Sequence, residues 1–167
     1  MRALGIVALV CYAIHGAVHV HRGQPYNLLW SCHIAALLVG FGLLSRNATL
    51  NATGFLWSCL GLPLWILDLA TGGEFIVTSP LTHVGAFVLG LIGVRKLGMP
   101  RHAALKALAA YATLWVVCRV VTPPALNVNL AFRVHHGWEQ YFPSYALYLA
   151  MMAVIVAAIF TAAERAV

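Results

Sequence analysis

Eight histidines and four cysteines carry most of the chemistry this chain offers, and those that break its apolar stretches lie toward one end of those stretches. His15 and His19 stand four apart, on one face of any helix that holds both. Cys32 and His33 open a second apolar run, and His83 follows Ser79-Pro80 at the start of another. Asp68, Arg119, His135 and His136 fall at the same end. Three chemistries suit such a set.

The first is nucleophilic catalysis, in which an imidazole takes the proton of a thiol and the thiolate attacks a carbonyl to give an acyl-enzyme. Cys32 as nucleophile and His83 as base match in depth, with Cys118 beside Arg119 as the rival thiol. The second is ligation of a transition metal or a haem by neutral imidazoles, with His15 and His19 joined by His83 or His136. The third is binding of a lipid or small molecule without chemistry. An inverted repeat or a pair of broken helices, as in transporters, is not visible. For each residue alone the plainer reading is packing: histidine near a helix end often bonds only a neighbouring helix, and cysteine behaves as a small apolar side chain. Their concentration in one leaflet favours a site.

The elements that must position these residues follow from composition. With 62% hydrophobic and 8% charged residues, the 167-residue chain has more apolar surface than a soluble domain of its size buries. It reads as one all-α domain, 1–167, a polytopic membrane bundle of six helices with short loops. A helix needs about 20 apolar residues to cross roughly 30 Å of hydrocarbon, which predicts spans at about 2–20, 27–45, 53–71, 79–97, 103–122 and 143–163. The first span follows Arg2 as a signal peptide would, but it carries His15 and His19 and no small-residue cleavage site, so it reads as a mature helix.

Lysine and arginine asymmetry orients the bundle. With the N-terminus cytoplasmic, Arg2, Arg46, Arg95, Lys96, Arg101, Lys106 and Arg165 lie inside, while Arg22 and Arg133 lie outside with Asp68, Glu74 and Glu139. Both termini are therefore expected in the cytoplasm, as in a bacterial inner or plasma membrane protein. The formal charge of +6 then reflects topology and anionic headgroups rather than nucleic acid, since no basic surface is interleaved with base-stacking aromatics. At a helical rise of about 1.5 Å per residue, His15, His19, Cys32, His33, Asp68, His83 and Arg119 all fall within roughly 10 Å of the outer surface. Cys11 and Cys59 lie too deep to join them.

Other patterns carry less. The four cysteines make no C-x-x-C pair and signal neither disulfides nor a zinc knuckle. Asn47-Ala-Thr and Asn51-Ala-Thr match the glycosylation pattern but fall in a cytoplasmic turn, and Leu-Trp-Ser-Cys occurs twice without any surrounding repeat. Pro123-Pro124 ends the fifth span, and Trp138, Tyr141, Phe142 and Tyr145 form an interfacial aromatic cluster before the sixth. The segment between them is expected to lie on the membrane as a lid.

Three stretches carry a family resemblance: Asn27-Leu-Leu-Trp-Ser-Cys-His-Ile-Ala-Ala-Leu-Leu, Gly61-Leu-Pro-Leu-Trp-Ile-Leu-Asp-Leu, and Phe75 through Ser79-Pro-Leu-Thr-His83. Over residues 25–122 the chain resembles the YwaF-like six-span membrane proteins. A mammalian acyltransferase that remodels ether phospholipids looks like a relative, and the resemblance implies a catalytic pair at Cys32 and His83. The androgen-induced membrane hydrolases are similar in layout, with threonine as nucleophile. The expectation is thus a lipid acyltransferase or ester hydrolase in the outer leaflet, with no cofactor and with membrane lipids and an acyl substrate as partners. Asp68 would orient an imidazole, and Arg119, His33 or His136 would hold a headgroup phosphate or steady an oxyanion. The alternative is a metal or haem held by His15, His19, His83 and His136.

Overall fold

In hydrocarbon a backbone amide has no water to bond, so an apolar chain must close its hydrogen bonds within each segment. The computed structural model describes residues 1–167 and is all-helical. Its helices are α1 (Arg2–His21), α2 (Ser31–Ser45), α3 (Ala48–Ala70), α4 (Ser79–Leu97), α5 (Ala103–Val121) and α6 (Tyr145–Ala166). All except α2 are long and apolar enough to cross a membrane.

Boundaries follow local chemistry. Helix α2 begins at Ser31 rather than near 27, because Pro25–Leu29 coils as a 3-10 turn and Trp30 is extended (φ −57°, ψ 138°). Its 15 residues span only about 22 Å. Helix α3 begins five residues earlier than the apolar run suggests, because Asn47 caps it by accepting a hydrogen bond from Leu50 N–H at 3.1 Å. Ser144 caps α6 in the same way through Leu147 N–H at 3.2 Å.

The short helix α2 is the centre of the bundle, packed by α1, α3 and α4. Where apolar side chains gain nothing by leaving lipid, close backbone approach at small residues replaces the hydrophobic drive. A Cβ added at Gly54 of α3 would sit 2.7 Å from Ala35 O and 2.8 Å from Val39 N of α2. Gly42 and Gly93 are each held against Asn51. Asn51 is fully buried and its Nδ2 donates to Gly90 O at 3.0 Å, pinning α3 to α4. Of the two glycosylation matches, Asn51 is a buried helix crossing, while Asn47 is exposed and its Oδ1 caps α3.

Helices α5 and α6 sit outside this core. Trp57 Nε1 donates to Ala107 O at 3.0 Å, and Glu164 of α6 accepts from Ala103 N–H at 2.9 Å and Ala104 N–H at 3.2 Å. A carboxylate from another helix thus satisfies the orphan amides that begin α5.

The close approach at Gly54 yields a prediction whose sign opposes helix propensity. Glycine to alanine in a helix ordinarily gains about 1 kcal/mol, but here the added methyl meets backbone atoms that have no rotamer to yield. Gly54→Ala should destabilise the bundle by about 1–3 kcal/mol, read as a lowered unfolding midpoint of the purified protein in detergent.

Candidate functional site

The antiparallel turn from α1 to α2 brings the end of one helix beside the start of the other. His15 and His19, one turn apart on α1, therefore face His33 in the first turn of α2. All three imidazoles are buried, at 1%, 6% and 4% exposure, so each ring nitrogen needs a protein partner or a ligand. Their Nε2 atoms converge: His15 to His33 is 3.1 Å and His15 to His19 is 3.2 Å. One ligand nitrogen from each of the three lies within 4.8 Å of the others.

The outer nitrogens are held by a second set of groups. His33 Nδ1 donates to Asn27 O at 2.6 Å, and His15 Nδ1 bonds Thr78 Oγ1 at 2.7 Å. His19 Nδ1 accepts from Asn27 Nδ2 at 3.4 Å, which leaves the His19 proton on Nε2. A carbonyl only accepts, so His33 carries its proton on Nδ1 and, when neutral, turns a lone pair toward the cluster. His19 Nε2–H then donates to His15 Nε2, and the lone pairs of His15 and His33 face each other at 3.1 Å with no proton between them. A cation would accept both of those lone pairs, and that of His19 as well once the Asn27 amide turns its oxygen inward and the His19 proton moves to Nδ1. Zinc–nitrogen bonds of about 2.0–2.1 Å in tetrahedral geometry place ligand nitrogens roughly 3.3 Å apart, close to the two short separations here.

His83 stands next to this group without entering it. Its ring centroid is 6.1 Å from that of His33, it stacks on Trp65 of α3 at 4.8 Å and 13°, and its Nδ1 donates to Ser79 O at 3.0 Å. Its Nε2 is left without a hydrogen bond. Cys32 faces α3, where a Cβ at Gly61 would lie 3.1 Å from its own Cβ, and no hydrogen bond joins its sulfur to His83. The other expected site residues are dispersed. Asp68 is exposed at the end of α3 and its carboxylate bonds no imidazole. His136 is exposed in the last loop, 3.6 Å from Glu139, and cannot complete a set with His15 and His19. Arg119 donates to Ala131 O at 2.5 Å and lies over the rings of Trp115 and Phe132, so it organises that loop. Cys118 is fully buried and accepts from Asn129 Nδ2 at 3.2 Å.

The long loop between α5 and α6 does more than lie across the surface. Asn129, in a left-handed conformation (φ 52°), accepts from Ser31 N–H at 2.8 Å and donates to Leu29 O at 2.7 Å. It thereby caps the helix that carries His33. On the opposite flank Arg22 pairs with Glu74 at 2.7 Å, holding the end of α1 to the loop that contributes Thr78. Equal depth placed His15, His19 and His33 together in the sequence. What sequence reasoning missed was the rotation of α2, which turns His33 rather than Cys32 toward α1, and the supporting roles of Asn27 and Thr78.

No family model, curated protein or solved structure matches the chain. The functional reading therefore rests on this geometry.

Asn129→Ala should leave Ser31 N–H without a partner and Leu29 O with only the long contact from Cys118 Sγ at 3.9 Å, and cost about 1–3 kcal/mol. Thermal unfolding measures the loss, and hydrogen exchange should accelerate first at the amides opening α2.

Proposed function

We propose that this protein is an integral membrane metalloprotein whose centre is a divalent transition-metal ion held by His15, His19 and His33. The observation that carries the reading is the convergence of three buried Nε2 atoms, two of them, on His15 and His33, with the outer nitrogen bonded to Thr78 Oγ1 and Asn27 O, the arrangement that fixes tautomer and direction in metal-binding imidazoles. Neutral imidazole suits zinc, copper, nickel or iron. Three such ligands leave a fourth tetrahedral position open, the condition under which a bound metal activates water or polarises a carbonyl. A haem fits less well. Axial nitrogens on opposite faces of a porphyrin are roughly 4 Å apart across the iron, taking about 2.0 Å per bond, whereas the His15 and His33 nitrogens are 3.1 Å apart with a third imidazole beside them.

The acyl-transfer reading needs Cys32 and His83 to exchange a proton, and no hydrogen bond joins them. We place the metal centre toward the non-cytoplasmic face of a six-span bundle, the layout of the YwaF-like proteins the sequence resembles, with α2 crossing together with its preceding turn and both termini cytoplasmic. The excess of arginine and lysine at the opposite end supports this orientation.

The protein purified without chelator should contain about one equivalent of transition metal, or bind one equivalent of added zinc. His15→Ala, His19→Ala and His33→Ala should each lower metal occupancy at least about tenfold, with Cys32→Ala and His136→Ala at wild-type occupancy. Elemental analysis finding no metal, together with no zinc binding by titration, sinks the proposal. Orientation is tested separately by reporter fusions at Val167 and within 123–142. An external C-terminus would move the centre to the cytoplasmic leaflet.

A further inference from the structure

Charge limits what the histidine centre can hold as much as geometry does. His15, His19 and His33 coordinate as neutral imidazoles, so they supply lone pairs but no negative charge. A divalent ion among these three buried rings therefore keeps both of its positive charges. The self-energy of a buried ion rises with the square of its charge, so one monoanion at the centre lowers that cost about fourfold.

The chain holds no carboxylate free for that role. It has four acidic residues in all. Glu164 lies at the far end of the bundle, with both oxygens on the amides that open α5. Glu139 stands beside His136 in the last loop, and Glu74 is paired with Arg22 at 2.7 Å. Asp68 is exposed, with its carboxylate against Gly73 in the turn that ends α3. The thiols are committed too: Cys32 faces α3, Cys118 bonds Asn129, Cys59 packs on the apolar core, and Cys11 lies in a groove with Val84 and Val88 of α4. Among side chains able to ligate a metal, the group whose ligand atoms lie within 4.8 Å of one another ends at the three histidines. His83 is the next imidazole, its ring centroid 6.1 Å from that of His33. A fourth neutral ring would still leave two uncompensated charges.

We propose that the fourth position of the centre takes a small monoanion from water, such as chloride, azide or hydroxide, so that metal and anion are bound as a pair. This rests on the metal reading above and adds the class of ligand that the metal holds. The anion comes from the aqueous end, because His19 is the last buried residue of α1 and residues 20–26 are exposed. It is small because protein encloses all three rings almost completely. Metal and anion strengthen each other's binding by the same factor, as two ligands coupled through one centre must.

Cobalt(II) serves as the probe, because its visible absorption shifts when a ligand is exchanged. The full chain in halide-free detergent is loaded with cobalt and titrated with sodium azide, with sodium perchlorate as the salt control and sodium decanoate as a carboxylate bearing an apolar tail. The expected result is a saturable shift with one azide per cobalt, and no shift with perchlorate, with decanoate or in His33→Ala. Azide at ten times its own dissociation constant should lower the cobalt dissociation constant about tenfold. Failure of cobalt to bind overturns the metal reading and this inference with it. Cobalt that binds with a spectrum indifferent to azide overturns the inference alone, since a side chain then fills the position, and Asp68→Asn, Glu74→Gln or Cys32→Ala would reveal which by restoring the response. Displacement of azide by decanoate overturns the small-anion class in favour of a lipid carboxylate, and an azide response kept by His33→Ala places the cobalt elsewhere and overturns the assignment to this centre.

Discussion

Within a helix bundle surrounded by hydrocarbon, every polar group carried inward must find its partner in the protein, and the architecture here is organised by that requirement. Trp57, Asn51 and Asn129 each reach a backbone carbonyl on another element, at 3.0, 3.0 and 2.7 Å. Glu164 caps a helix that begins beside it rather than its own. These bonds join elements whose apolar faces would pack equally well against lipid. Polar satisfaction thus supplies the specificity that hydrophobic burial supplies in water.

The same requirement explains why the shortest helix is the central one. With only 15 residues, α2 is enclosed by α1, α3 and α4, and the irregular backbone preceding it is tied down by neighbours. Gln24 N–H bonds His19 O at 2.9 Å, and Asn129 holds both Leu29 and Ser31. This segment is itself exposed or half-buried, so its irregular backbone is held by these individual bonds rather than by burial. Glycines at the contacts of α2 with α1 and α3 let the backbones approach to distances that no other residue permits.

Against this background the histidine cluster is distinctive, because hydrogen bonding alone serves it poorly. Its outer nitrogens have partners, while its inner ones point at each other. The loop carrying Asn129 supports this layer from the other side, since Asn129 caps α2.

Much of the fold was legible in the sequence because its determinants are local. Apolar run length set the long helices, and Ser79-Pro80 and Pro123-Pro124 marked ends that lie close to those observed. Depth along each run, which depends only on helical rise, placed His15, His19, Cys32, His33 and His83 in one layer. The start of α3 was obscured because Asn51 and Thr53 read as polar turn residues, whereas both are buried in the helix. Azimuth was the missing coordinate. Which of the adjacent Cys32 and His33 faces α1, and whether His83 meets a thiol or lies flat on Trp65, depends on how each helix is rotated against its neighbours. That rotation is set by the glycine contacts and by the Asn51 and Asn129 bonds, which join residues 39 to 100 positions apart. No local pattern encodes such pairings, so the sequence determined the layer of the site and tertiary packing decided which side chains meet within it.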